Sequence, residues 1–174
     1  MALLPSARPQ IDWIDIAGES HYCDETGGDY FDYIHPVWMG RRGLAVAMGD
    51  VTGHGIAAAL LMATARAILH ARAAETEDLT DIVGALNRRL CEDAIEGRFM
   101  TFAYLTLDAG GGEVRWVSAG HDPAIVYDPG QDAFSELAGA DIPLGIEPDW
   151  TFAERRKRAF GAGSVLLVGT DGIW

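Results

Sequence analysis

Three aspartates in this chain each stand beside a glycine at the end of a predicted strand. Asp29 follows Gly-Gly at 27–28, Asp50 lies in Gly-Asp-Val-Thr-Gly-His-Gly at 49–55, and Asp171 lies in Thr-Asp-Gly at 170–172. Hard divalent cations prefer oxygen ligands, and the short aspartate side chain holds such an ion close to a strand end. We expect these carboxylates to converge on one polyvalent cation. Without a cation, their mutual repulsion should raise the pKa of at least one of them, or the loops that carry them should open.

The strands that position these aspartates are predicted from alternating or continuous apolar runs bounded by turn residues. Three strands precede a helical region and six follow it: residues 11–19, 30–38, 43–51, 99–107, 113–119, 124–127, 133–137, 150–160 and 164–169. Each predicted metal ligand therefore lies where a strand begins or ends.

Two successive helices are predicted between these groups of strands. The first starts at Ile56, and the second starts after Asp78, which has the composition of an N-cap. The side chains predicted to face the core are Leu60, Ala63, Ala67, Ile68 and Ala71 in the first helix, and Leu79, Ile82, Val83, Leu86 and Leu90 in the second. Strands, two helices and a final meander predict an α+β domain over residues 11–174. Residues 1–10 are predicted to be an irregular lead-in.

Composition narrows the possible partners and compartment. The net charge of −13 and the isoelectric point near 4.6 leave no basic surface for nucleic acid or an anionic membrane. Cys23 and Cys91 form no motif typical of a zinc site or a disulfide framework. The longest apolar run is too short to cross a bilayer, and no signal peptide is evident. We therefore expect a cytoplasmic protein with no membrane contact from this segment.

Five motifs in order resemble the metal-dependent PPM protein phosphatases, and most closely their bacterial branch, the stage II sporulation protein E-like serine phosphatases. These are Gly-Gly-Asp-Tyr-Phe-Asp at 27–32, the 49–55 motif with Ala-Ala-Ala-Leu at 57–60, Ala-Gly-His-Asp-Pro at 119–123, Pro-Leu-Gly at 143–145 and Thr-Asp-Gly at 170–172. The resemblance implies two antiparallel β-sheets in a sandwich flanked by helices. It also implies two Mn²⁺ or Mg²⁺ ions that support hydrolysis of phosphoserine or phosphothreonine on a protein.

The resemblance also implies a role for each site residue. Asp50 bridges both metals, the backbone carbonyl of Val51 binds the second, Asp171 binds the first, and Asp29 holds water or an additional ion. For Asp29 a simple turn role is the alternative. His54 either donates a proton to the leaving serine oxygen or caps the first helix.

Three other polar features have both a structural and a functional interpretation. His121 either anchors a hairpin or touches substrate. The basic run at 155–158 is either a charged edge strand or a docking strip for an acidic or phosphorylated partner. Asp32, three residues after Asp29, lies on the opposite face of an extended strand and should matter little to catalysis.

The match departs from the family pattern in two places. The family carries a further metal-binding aspartate tens of residues after Thr-Asp-Gly, whereas this sequence stops at Trp174. Either the domain is C-terminally truncated, without its last helices and final strand, or it is a shortened member that binds metal weakly. We expect truncation, in a larger regulator with an upstream sensor or receiver domain. No arginine stands at the early strand position where eukaryotic relatives grip substrate phosphate.

The sequence supports one leading function and two alternatives. The leading hypothesis is a metal-dependent protein serine/threonine phosphatase domain acting on a phosphorylated regulatory protein such as an anti-sigma-factor antagonist. The first alternative is a non-catalytic, phosphatase-like scaffold that binds a signalling partner. The second is a phosphatase for a small molecule or nucleotide.

Overall fold

The computed structural model describes residues 3–21, 27–36, 43–93, 97–109, 112–158 and 161–171. The ends of two predicted strands, at Trp38 and Phe160, lie outside these ranges, as do Cys23 and Gly172 of the Thr-Asp-Gly motif. The elements are β1 (Asp29–Ile34), β2 (Gly43–Val51), α1 (Ile56–Glu75), α2 (Leu79–Asp93), β3 (Met100–Asp108), β4 (Glu113–Ala119), β5 (Ala124–Asp128), β6 (Ala133–Leu137), β7 (Arg155–Arg158) and β8 (Val165–Leu167).

The strands form two antiparallel sheets, as the resemblance implied. The larger has the order β1-β2-β3-β4-β7 and the smaller has the order β6-β5-β8. Period-two alternation in β3 divides its side chains between two cores. Phe102 and Tyr104 join the core shared with the helices, whereas Ala103 and Leu105 join the core between the sheets. The layers are therefore helices, large sheet and small sheet.

Helix α2 forms as predicted. Asp78 Oδ1 accepts hydrogen bonds from the backbone N–H groups of Thr80, at 2.9 Å, and Asp81, at 3.1 Å. This is N-capping, which satisfies donors that have no partner within the helix. All five predicted core positions are buried: Leu79, Ile82, Val83, Leu86 and Leu90.

The predicted buried face of α1 is wrong. Its buried residues are Ala58, Leu61, Met62, Ala65, Leu69 and Ala73. Leu60 is instead 61% exposed. The helix is rich in alanine and apolar on several sides, so its periodicity does not single out one face. By length and composition α1 also passes the test for a membrane-spanning helix, a test that core helices pass too, and here it packs against α2, β1 and β2.

Two strand predictions also differ from the structure. Residues 11–19 form no strand, although Trp13 and Ile14 pack against the core between the sheets. This segment therefore contributes apolar side chains to the core without forming ladder hydrogen bonds. The strand predicted over residues 150–160 is limited to β7, on the edge of the large sheet.

The basic residues of β7 support the interpretation as a charged edge strand. Arg155 pairs with Asp141, Arg156 with Glu154, and Lys157 Nζ donates to Ser135 Oγ at 2.6 Å. Two of the four positive charges of β7 are therefore paired with carboxylates of the domain.

Candidate metal centre

Antiparallel pairing of β1 and β2 brings two of the predicted ligands together. Asp29, the first residue of β1, lies directly opposite Asp50, near the end of β2. Directly opposed residues in an antiparallel pair project from the same face of a sheet. The pairing extends one step further, because the N–H of Val51 donates to the carbonyl of Gly28 at 3.0 Å.

The face of Gly28 is lined by oxygen atoms. A Cβ at this position would lie 2.6 Å from the Val51 carbonyl oxygen, 2.7 Å from Asp50 Oδ1 and 3.1 Å from the Gly53 carbonyl oxygen. Three oxygens thus surround a space that only glycine leaves open. We call these three atoms the oxygen cradle.

Asp171 reaches the same region from the smaller sheet, four residues past the end of β8. Burial raises the pKa of Asp50, and the negative charges of Asp29 and Asp171 raise it further, while the hydrogen bond with the Val51 backbone lowers it. Repulsion among the three carboxylates thus adds to the rise in the pKa of Asp50, but burial is the larger cause.

The carboxylates are close enough to interact but do not form a closed cluster. Within the described ranges, no three His, Cys, Asp or Glu side chains are arranged to hold a metal ion by themselves. The donors grouped at the cradle are two backbone carbonyls and one carboxylate oxygen. One of these two carbonyls is that of Val51, the backbone ligand that the family resemblance implied.

The turn after β2 is fixed from β3. Thr52 N–H donates to the Phe99 carbonyl at 3.0 Å, and Phe99 N–H donates to Thr52 Oγ1 at 3.1 Å. Gly53 and Gly55 then adopt φ values of 87° and 84°, which glycine reaches without strain, before α1 begins at Ile56. The cradle is therefore held by the sheet on one side and by the helix on the other.

His54 lies in this turn and is exposed. It does not cap α1, since the N-cap is Gly55 and no side chain makes a capping hydrogen bond there. The structure gives His54 no hydrogen bond to any residue in the described ranges. Its imidazole is thus accessible to a substrate above the turn.

His121 is a buried neighbour of the site. It is 8% exposed, and its Nδ1 lies 3.0 Å from Thr101 Oγ1. Burial lowers its pKa, against the opposing influence of Asp122, the Gly169 carbonyl, Asp29 and Asp171. Its buried Nε2 makes no well-formed hydrogen bond to a described residue.

The hairpin-anchor role of His121 also has support, because Ser118 Oγ donates to its carbonyl at 3.1 Å. The backbone of this histidine thus fixes the hairpin, while its imidazole lies near the carboxylates. The two sequence interpretations of His121, hairpin anchor and neighbour of the site, are therefore compatible in the structure.

Comparison with known families decides the assignment. The family model described as Stage II sporulation protein E (SpoIIE) matches residues 40–174. The chain belongs to the SpoIIE family. It is 24% identical over 171 residues to the phosphoserine phosphatase RsbU of Bacillus subtilis (strain 168), covering 98% of this chain and 50% of that protein. The chain thus spans half the length of this SpoIIE-type relative.

Solved structures agree with the family and the fold. The crystal structure of the RsbU and RsbW domains of Rv1364c from Mycobacterium tuberculosis superposes with a TM-score of 0.72 at 25% identity, covering 88% of this chain and 41% of that one. RsbX in complex with magnesium superposes with a TM-score of 0.68 at 20% identity, covering 84% and 67%. The SpoIIE-family chain therefore has the PPM phosphatase fold.

Proposed function

We propose that this chain is the phosphatase domain of a metal-dependent protein serine/threonine phosphatase in a cytoplasmic bacterial signalling regulator. Its substrate would be phosphoserine or phosphothreonine on a small regulatory protein such as an anti-sigma-factor antagonist. The oxygen cradle at Gly28 carries this proposal. Membership of the SpoIIE family and the phosphoserine phosphatase activity in the name of RsbU support it.

The residues present fit a hard divalent cation. The cradle offers only oxygen donors, and the carboxylates of Asp29 and Asp171 add negative charge around Asp50 that a cation would neutralise. Asp50 and the Val51 carbonyl would hold the ions, with Asp29 and Asp171 supplying further carboxylate oxygens. We propose two ions, Mn²⁺ or Mg²⁺. When bound, they supply positive charge that activates water and neutralises phosphoryl oxygens.

Other residues of the site would protonate the leaving group or hold the metal-binding turn in place. His54, exposed beside the cradle, would donate a proton to the serine oxygen as the phosphoryl group leaves. The Thr52–Phe99 hydrogen bonds keep the turn, and so the Val51 carbonyl, in one orientation. The exposed position of Asp171 leaves the site open to a phosphoserine on a protein surface.

One observation favours the non-catalytic scaffold as a second candidate. The described residues contain no closed cluster of three acidic or histidine side chains, so metal affinity rests partly on backbone carbonyls. Such a site, if too weak to hold ions, would leave a phosphatase-like surface that binds a partner without hydrolysis.

Metal titration and hydrolysis separate the two candidates. Wild type, Asp50→Asn and the control Asp12→Asn would be titrated with Mn²⁺ by calorimetry and assayed on a phosphoserine peptide. Asp12 is an exposed carboxylate with no partner among the described residues. We expect Asp50→Asn to lose Mn²⁺ binding and hydrolysis with its circular dichroism unchanged, and Asp12→Asn to match wild type. A wild type that neither binds Mn²⁺ nor hydrolyses the peptide would contradict the phosphatase and favour the scaffold.

A further inference from the structure

Arg98, which precedes β3, lies against the turn that forms the oxygen cradle. Its Nη1 donates to the Thr52 carbonyl at 3.0 Å. A Cβ on Gly53 would lie only 2.5 Å from that Nη1. The absence of a side chain at Gly53 therefore allows the guanidinium to approach the backbone of the turn.

The guanidinium and the cradle share this turn. The carbonyl of Gly53 is one of the three oxygens around Gly28, and Thr52, which accepts the Arg98 hydrogen bond, directly follows Val51. A cation at Arg98 is thus separated from the metal-binding oxygens by a single peptide turn. A phosphoryl group bound above the cradle would lie beside it.

The guanidinium of Arg98 has N–H donors available to bind an anion. Most arginines in the described residues pair with carboxylates: Arg8, Arg66, Arg72, Arg89, Arg115, Arg155 and Arg156. Arg98 forms no ion pair with any carboxylate that the structure describes, although the chain has 26 acidic residues and 13 basic ones. One of its five N–H donors is bound to Thr52, which leaves the rest of the planar fork for other acceptors.

We propose that Arg98 binds the phosphoryl oxygens of the phosphoserine substrate beside the metal ions. The inference rests on the proposed phosphatase function and deepens it by naming a residue that recognises the phosphoryl group. A planar guanidinium presents two parallel donors that match two phosphoryl oxygens. Arg98 would thus supply, from the segment before β3, the cationic contact that the sequence does not provide from the first strand.

A set of three variants tests the role of Arg98. Arg98→Gln keeps an amide donor for the Thr52 carbonyl but loses the charge, and Arg98→Lys keeps the charge but loses the fork. Arg88→Gln is the control, an exposed arginine on α2 without a carboxylate partner in the described ranges. Each would be assayed with Mn²⁺ for hydrolysis of a phosphoserine peptide and for inhibition by inorganic phosphate, and titrated separately with Mn²⁺.

We expect Arg98→Gln to raise KM and the phosphate inhibition constant by about tenfold, the loss expected for one charge-assisted contact. Arg98→Lys should fall between this variant and wild type, and Arg88→Gln should match wild type. Mn²⁺ affinity should remain within about twofold for all three, since the hydrogen bond to the turn can be kept.

Two results would overturn the inference. Weakened Mn²⁺ binding in Arg98→Gln with KM and phosphate inhibition unchanged would show that Arg98 only clamps the turn. Unchanged values of all three quantities would show that it has no role. If the chain is not a phosphatase at all, the result is different, because wild type itself would then show no Mn²⁺-dependent hydrolysis.

Discussion

Replacement of Asp32 by asparagine should destabilise the fold strongly, although Asp32 lies off the metal centre. Its side chain is 4% exposed and lies between β1 and α1. Its carboxylate accepts from Tyr30 Oη at 3.0 Å and from the Tyr33 backbone N–H at 2.9 Å. His70 Nε2 lies 2.7 Å away and Arg66 Nε 3.0 Å away, both on α1. This carboxylate therefore joins the first strand to the first helix.

The magnitude follows from what asparagine cannot replace. If the amide nitrogen of the new asparagine turns toward Arg66 or His70, two hydrogen-bond donors face each other. The substitution also removes the buried negative charge that Arg66 and His70 now face. Removing one partner of a fully buried pair costs about 3–5 kcal/mol. Arg66 and His70 are 37% and 38% exposed, so water can hydrate them after the change. We therefore expect a loss of about 2–4 kcal/mol in the free energy of unfolding.

Urea denaturation followed by circular dichroism measures this loss, with Asp12→Asn as the exposed control. A double-mutant cycle with His70→Gln then isolates the Asp32–His70 coupling. A loss below about 0.5 kcal/mol, the range of ordinary surface substitutions, would refute the argument that the network holds α1 on β1. Because Asp32 faces α1, the folded variant should keep its Mn²⁺ affinity.

Three further predictions follow from other contacts. Burial would raise the pKa of Asp32, but the hydrogen bond and charge of His70, the charge of Arg66 and the Tyr30 hydroxyl together hold it below its usual value. Its stabilising contribution is therefore complete above the unfolded-state pKa of about 3.9 and is lost as pH falls toward the folded-state pKa. The urea midpoints of wild type and Asp32→Asn should consequently converge when the pH is lowered below about 4. Gly28→Ala fills the oxygen cradle and should weaken Mn²⁺ binding by about 10- to 100-fold in calorimetry. Gly161→Ala, where a Cβ meets no atom within 4 Å, should leave it unchanged, and equal affinities of the two variants would show that the cradle holds no ion. Asp78→Ala removes the N-cap of α2 and should lower the urea-derived unfolding free energy by about 1 kcal/mol, whereas no change would show that the cap bonds add nothing in water.

The sequence alone predicted the features that depend on local patterns. The N-cap at Asp78 and the buried face of α2 followed from a polar cap and a single apolar stripe. The positions of Asp29 and Asp50 at strand ends followed from glycine next to an apolar run. Their placement opposite each other then required only that the two strands be antiparallel neighbours.

The tertiary structure decided what depends on residues distant in the chain. The face that α1 buries was ambiguous in sequence, because an alanine-rich helix is apolar on several sides, and packing on the sheet selected it. Arg98 meets Thr52, and His121 lies near Asp29 and Asp171, because these residues lie at or next to the ends of strands that the two sheets bring together. No local spacing encodes such contacts, since they arise from chain pairing across tens of residues.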